Sequence, residues 1–227
     1  LTTSLGVKNQ DGLNKTIRTF LEETIQGNPI KLDYGILQNK EGVSFIPANI
    51  ELEALEISMI RYINKENILK QFVEQIKDEY DYILIDCRPS LGLLTINALA
   101  TADSVIIPVQ AQYLPLKGMT QLLQAIDKTK MQINPNLKIE GILLTIADMR
   151  TNLTKVTIET LRKNYGRHIK IYDSVIPMGV RTAECAIEGK SLYAYDKNSK
   201  PAKAYEEFVK EVLSSNEKSR DRNSQCR

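Results

Sequence analysis

The stretch Tyr80-Asp81-Tyr82-Ile83-Leu84-Ile85-Asp86-Cys87-Arg88-Pro89-Ser90-Leu91-Gly92 sets a carboxylate directly after a continuous apolar run. A run without alternation suits a strand covered on both faces, as in a parallel sheet. An Asp at the carboxyl end of such a strand stands where nucleotide hydrolases hold Mg²⁺, usually through a water, because the ion keeps most of its hydration shell. The same pattern also arises when an Asp caps the helix expected from about Leu91, or merely ends a strand. Strand-plus-Asp motifs are frequent by chance, so from this stretch alone both readings stay open.

The remaining reactive residue types give less. Cys87, Cys185 and Cys226 are far apart and lack metal-ligand spacing, which suits a reducing cytoplasm better than a disulfide scaffold. His168 is the single histidine, in a polar loop with no partner cysteine or second histidine, and is read as an exposed bystander. No Ser-His-Asp set can be assembled around it. Gly189-Lys190-Ser191 imitates the end of a phosphate loop but lacks the earlier glycine, and no GxxxxGK[ST] occurs anywhere in the sequence.

These residues need elements to position them. Leu13, Ile17, Leu21 and Ile25 predict an amphipathic helix over 14–26, ending at Gly27 and Pro29. A short strand at Val43–Ile46 precedes helical stretches near 50–61 and 66–79, and then the buried strand Tyr82–Ile85. A helix from about Leu91 to Ala100 leads to a strand at Ser104–Ile107. A helix from about Leu116 to Ile133 leads to a strand at Ile139–Ile146. A helix from about Leu153 to Tyr165 precedes Ile169–Tyr172 and Ser174–Ile176. The last helix, Ala202–Leu213, carries Tyr205, Phe208 and Val212 on its inner face. Alternation of this kind predicts an α/β fold, a mostly parallel sheet with helices on both faces. Right-handed crossovers place the strand C-termini on one edge, where ligands of such sheets bind.

At 227 residues the chain suits one domain over 1–213, with a polar, disordered tail at 214–227. No apolar run approaches the roughly 20 residues that span a bilayer. The formal charge of +2 is close to neutral, so any nucleic-acid binding has to come from local clusters.

The wider sequence separates the readings of Asp86. DYILIDCRPSLGLLTINALATADSVIIPVQ closely resembles the Walker B region of the ParA family, whose usual form is DYIIIDCPPSLGLLTINAL followed by ADSVIIPVQ. The resemblance continues through GILLTIADMRTNL, VIPMGVRTAE and GKSLYAYDKNSKPAKAYEEFVKEVL. Even LTTSLG at Leu1–Gly6 is similar to the segment after the family's DxDPQGN motif, so nearly the whole chain is covered. The family's deviant phosphate loop, KGGxGKT, and its DxDPQGN motif are absent from the 227 residues. The sequence also opens on Leu rather than Met, with no strand before it. The expectation is a fold lacking the first strand and phosphate loop, a fragment that does not by itself hydrolyse ATP.

The resemblance implies ATP and Mg²⁺ as cofactors and a homodimer on ATP binding. It also implies nonspecific DNA binding in the cytoplasm, on the nucleoid, with hydrolysis stimulated by a ParB-type centromere-binding protein. It makes Asp86 the Mg²⁺-linked Walker B carboxylate, with Pro89 beside it, and places Asp148 and Pro177 on loops near the adenine. An ordinary pairing of Asp148 with Arg150 stands as the alternative. Arg150 and Arg181 match arginines that contact DNA in relatives, the alternative being surface arginines paired with Asp148 or Glu184. Lys190 and Lys200, with Lys197 and Lys203, extend that patch or form a solvated face. Two departures matter. Arg88 replaces the usual Pro and is read as solvated, and Met178 replaces a further arginine. Gln110 and Gln112 take a structural or interface role. A MinD-like membrane-positioning ATPase is the alternative reading. It is disfavoured because SSNEKSRDRNSQCR after Leu213 offers no large apolar residue to a membrane. A non-catalytic DNA- or partner-binding remnant is the second alternative.

Overall fold

The computed structural model describes residues 1–30, 35–111 and 115–225. The chain divides into two compact units where a single domain was expected.

The first unit comprises Leu1–Asp103, Gln121–Lys138 and Ile187–Gly189. Its elements are α1 (Ile17–Gln26), a short antiparallel pair β1 (Leu37–Gln38) and β2 (Ser44–Phe45), α2 (Glu51–Met59), α3 (Ile68–Val73) and α4 (Leu93–Thr101). Helix α1 begins later than predicted because Thr16 stands in extended conformation as its N-cap. Gly27, at φ 70°, closes the helix in a conformation that glycine adopts at little cost. These helices meet in one core: Phe20 and Leu21 of α1, Leu55 and Met59 of α2, Ile68 and Phe72 of α3, and Ile76. The Phe20 and Phe72 rings stack at 5.2 Å. Each such side chain contributes roughly 1.5–3 kcal/mol by leaving water. The helix predicted over 66–79 breaks into a 3₁₀ turn at Lys65–Asn67, α3, and a second turn at Lys77–Glu79.

Polar staples fasten α4 to this core. Fully buried Asn97 accepts from the Leu69 N–H at 3.1 Å and donates to the Lys65 and Leu93 carbonyls at 2.8 and 3.0 Å. The Asn134 side-chain amide donates to the Leu99 and Ala102 carbonyls at 3.0 and 2.8 Å, holding the C-terminal end of the same helix. At its N-terminus the Glu56 carboxylate accepts from the Leu94 N–H at 3.1 Å. A carboxylate is favourable there because it meets unpaired amides and the positive end of the helix dipole. Gly92 leaves the room: a Cβ at this position would run into Glu56.

The expected buried strand at Tyr82–Ile85 is not formed. Among the described residues it joins no ladder, and Leu84 is 89% exposed. A strand is completed by neighbours that take up its N–H and C=O groups, and an apolar run lacking them has nothing to be buried between.

The second unit comprises Ser104–Thr120, Ile139–Ala186 and Lys190–Arg227. It carries the three-stranded sheet β3 (Ser104–Gln110), β4 (Lys138–Ala147) and β5 (Ile171–Pro177), in that order. Helix α5 (Pro115–Gln132) follows β3, its residues from Gln121 onward belonging to the first unit. Helix α6 (Asn152–Tyr165) crosses from β4 to β5, and α7 (Val180–Glu188), α8 (Leu192–Asp196) and α9 (Lys200–Gln225) end the chain. Strands β4 and β5 are parallel, with Ile142 opposite Ile171, Leu144 opposite Val175 and Ala147 opposite Pro177. The predicted α/β class is therefore present. The two segments predicted around 169–176 are one strand.

Helix α9 covers the sheet through Ala204, Phe208 and Val212, packed on Leu143, Tyr172 and Ile176. Phe208 meets the Tyr172 ring edge-on at 4.9 Å. Tyr205, expected on the inner face with Phe208 and Val212, is 38% exposed. The helix continues to Gln225, so residues 214–225 are helical where a disordered tail was expected. That stretch contains neither Gly nor Pro to stop a helix already nucleated by packing.

Glu211 fastens α9 to β5. Its carboxylate accepts from the Asp173 and Ser174 N–H groups at 3.2 and 3.3 Å and from the Ser174 hydroxyl at 3.1 Å, with Lys170 Nζ at 3.6 Å. Burial pushes this carboxyl up, but the three hydrogen bonds and the Lys170 charge outweigh it, leaving its pKa lowered. Glu211→Ala is expected to cost about 1–3 kcal/mol at neutral pH by leaving these donors without their acceptor. Because the folded-state pKa lies below the unfolded one, the contribution is complete above the ordinary Glu value of about 4.3 and fades as pH falls through the lowered value. Denaturant midpoints of the parent and the variant should therefore converge on acidification. A gap independent of pH would disprove the role of the charge.

Candidate functional site

Asp86 belongs to the first unit. Its side chain is 62% exposed, and no side chain among the described residues pairs with it. The backbone nitrogen of Leu1 lies 3.9 Å from Oδ2. The following loop is organised locally. The Ser90 N–H bonds to the Arg88 carbonyl at 2.8 Å, and the Thr95 hydroxyl to the Ser90 carbonyl at 2.6 Å, with Pro89 exposed between them. Arg88, read as solvated, pairs with Glu53 at 2.9 Å on an exposed face. Cys87 is an exposed free thiol beside Asp86. The N-terminus of α4, where an anion could otherwise settle, has one amide already taken by Glu56. Nothing local in the sequence singles out Glu53 or Glu56 for these contacts.

The other candidates lie in the second unit, and there the parallel ladder decides what meets. Ala147 stands opposite Pro177, and the Met178 N–H reaches the Ala147 carbonyl at 3.2 Å. Asp148 and Pro177 are thus brought to adjacent strand ends on the carboxyl edge of this sheet. Before Asp148 the register shifts, and Ile146 adopts φ 51°. A left-handed conformation is a true outlier for a β-branched residue and costs on the order of 1–3 kcal/mol. Such an irregularity re-aims the residues that follow it.

What Asp148 meets is Arg150. The guanidinium donates through Nε and Nη2 to the two carboxylate oxygens, both at 2.8 Å, and the Arg150 N–H adds a bond at 3.1 Å. The Thr151 hydroxyl donates to the Asp148 carbonyl at 3.0 Å and accepts from the Thr154 N–H at 3.2 Å, capping α6. The Arg150 hydrogen bonds hold the Asp148 carboxyl down at about 2. Asp148 is thus paired with Arg150, whose side chain stays 87% exposed. Arg181, in the first turn of α7, lies 3.4 Å from Glu184 and 3.7 Å from Asp196, with its guanidinium near the Tyr195 ring. Both arginines have the carboxylate neighbours expected of surface arginines.

Gly189 ends α7 at φ 63°, where the Lys190 N–H returns to the Cys185 carbonyl at 3.1 Å. The Gly-Lys-Ser triplet is a helix-terminating turn. A Cβ on Gly189 would collide with the backbone of Gly6. Lys190 and Lys200 are exposed, Lys200 at the start of α9. Exposed His168 lies in the turn after α6. Gln110 ends β3, and Gln112 lies outside the described residues. Among the described residues no three His, Cys, Asp or Glu side chains gather as metal ligands.

The model of a family described as an AAA domain matches residues 1–139. The sporulation initiation inhibitor protein Soj of Bacillus subtilis is 46% identical over 172 residues, covering 76% of this chain and 67% of that protein. The chromosome partitioning protein ParA of Myxococcus xanthus is 38% identical over 215 residues, covering 93% of this chain and 72% of its own. Cobyrinic acid a,c-diamide synthase from Mycobacterium smegmatis superposes with a TM-score of 0.77 at 30% identity, over 94% of this chain and 77% of the enzyme. The same enzyme, solved with a bound ATP analogue and magnesium, superposes with a TM-score of 0.71 at 30% identity, over 83% of this chain and 73% of its own.

Removing the guanidinium tests the clamp on Asp148. In Arg150→Ala the Asp148 carboxyl is expected to titrate above about 2 but below the ordinary Asp value of about 3.9, because the backbone N–H at position 150 still donates to it. Carboxyl-carbon chemical shifts followed against pH would show it. An Asp148 titration that does not move would mean that Arg150 does not hold it.

Proposed function

The chain belongs to the ParA/Soj family of ATPases, and from that premise we propose that the full-length protein is a DNA-segregation ATPase. Its ATP-bound homodimer binds DNA without sequence preference, in the cytoplasm and on the nucleoid, and a ParB-type partner stimulates hydrolysis and release. The observation that supports this most directly is the Asp86 carboxylate. It is exposed, free of any side-chain partner among the described residues, and embedded in the block that the family shares.

The donor set fits Mg²⁺. That ion prefers to keep several waters and to bind one or two carboxylates together with substrate phosphates, so it does not need a protein cage of three or four acidic groups. Asp86 would hold it, and Mg²⁺ supplies charge neutralisation to the phosphoryl group being transferred. Asp148 and Pro177, on adjacent strand ends, are assigned to the nucleotide base, with Asp148 kept ionised and oriented by Arg150. Pro89 shapes the loop behind Asp86. A Gly-Lys phosphate loop is not among these 227 residues. Their amides and lysines do not replace it, so they are assigned no ATP turnover of their own. Arg150 and Arg181 are assigned to DNA phosphate, with Lys190 and Lys200 beside them. The planar guanidinium keeps N–H groups to spare when one edge is spent on a carboxylate.

In the full-length protein Asp86→Ala is expected to lower Mg²⁺-dependent ATP hydrolysis by about two orders of magnitude or more. Normal turnover would refute the assignment. Arg150→Ala and Arg181→Ala should each reduce the magnitude of the log–log salt slope of DNA binding by about 1, one phosphate contact apiece. Slopes equal to the parent's would remove both from the footprint.

A further inference from the structure

Within the second unit the two ends of α6 differ in charge. At its beginning Arg150 is clamped by Asp148. From its last turn onward, about 20 Å along the axis from its first residue, runs Arg162-Lys163-Asn164-Tyr165-Gly166-Arg167-His168-Ile169-Lys170. Five of these nine residues are Arg, Lys or His, and all five are exposed. No Asp or Glu occurs between Glu159 and Asp173, in a chain whose 30 Lys and Arg are otherwise balanced by 28 Asp and Glu. Arg162 has a long contact to Asp173 at 3.9 Å. Lys170 is engaged by Ser215, by Glu211 and by the Tyr172 ring. Lys163 and Arg167 form no ion pair with any described residue.

The helix dipole accounts for only part of this cluster: Arg162 and Lys163 lie in the last turn of α6. Cations stabilise a helix C-terminus only within its last turn, whereas Arg167, His168 and Lys170 follow the C-cap at Gly166. Uncompensated cations held together on a nearly neutral protein make a local field that draws polyanions. The five cations are exposed on the last turn of α6 and on the turn that leads from it to β5. The two apolar or aromatic members of this stretch, Tyr165 and Ile169, are half-buried and so offer little to insert among lipid tails.

We propose that this far end of α6, centred on Lys163 and Arg167, is a DNA-backbone contact surface separate from that of Arg150 and Arg181. The inference rests on the DNA-binding reading above and adds a site to it. The test measures binding of the full-length protein, with ATP and Mg²⁺, to a duplex of arbitrary sequence by fluorescence anisotropy over a range of KCl. The variants are Lys163→Ala/Arg167→Ala and the charge-retaining Lys163→Arg/Arg167→Lys. The alanine pair is expected to flatten the salt slope by about 2, since each DNA phosphate that goes unneutralised takes about 0.9 from it. Its thermal midpoint should be unchanged, and the charge-retaining pair should keep the parent slope. A parent-like slope in the alanine pair would overturn this surface and leave DNA binding itself standing. A parent protein that does not bind the duplex would overturn the DNA reading and this site with it. Retention on phosphatidylserine vesicles that the alanine pair loses, with its DNA slope intact, would reassign the surface to anionic lipid and equally overturn the proposal.

Discussion

A backbone N–H or C=O taken out of water has to find a partner, and this requirement decides where the chemistry of this chain sits. In the second unit it is met: β4 and β5 pair in parallel, and Ala147 opposite Pro177 sets the ends of the two strands side by side. The loops that follow are positioned by that register, including the step introduced at Ile146. In the first unit Tyr82–Ile85 joins no ladder among the described residues, so the carboxylate that follows is presented to solvent. An exposed carboxylate can take up a hydrated metal ion at little desolvation cost. A buried one could not remain charged without a partner.

Electrostatic pairing then sorts the cations. Arg150 and Arg181 both have carboxylates nearby, but the two arrangements differ in quality. The Asp148–Arg150 pair is bidentate and short, and each partner favours the charged form of the other. Arg181 shares longer contacts with Glu184 and Asp196. At the end of α6 the basic residues outnumber the acids within reach. A phosphate approaching Lys163 or Arg167 displaces no intramolecular ion-pair partner among the described residues, whereas one approaching the carboxylate-bound edge of Arg150 has to compete with Asp148. That difference, more than the number of basic residues, separates the two surfaces.

Buried polar groups carry much of the specificity inside each unit. Asn97 has its side-chain oxygen and nitrogen all engaged at full burial, linking the α3 region to α4, and Asn134 closes the far end of that helix. Glu56 and Gly92 form a matched set in which the glycine gives the carboxylate its access to the helix start. Glu211 does comparable work between α9 and β5. In each case a polar side chain supplies bonds that the backbone of a helix end or strand edge would otherwise lack.

Much of this organisation was legible in the order of residues. The spacing of Phe72 and Ile76, the apolar segments around Ile107 and Leu144, and the turn residues between them report helices and strands, because amphipathic periodicity is a local property. The block around Asp86 identified the family, and the alternation of elements its α/β class. Helix ends were less legible: Thr16 delays the start of α1, and the stretch after Leu213 carries no breaker to stop α9. What the order of residues did not determine was whether Tyr82–Ile85 would find a ladder, whether Arg150 would turn to Asp148, or that Glu211 would bind β5 from 37 or more residues away. A strand's burial depends on what closes beside it, and an ion pair on which side chains the closed fold brings within reach. Both are non-local, so only the tertiary structure decides them.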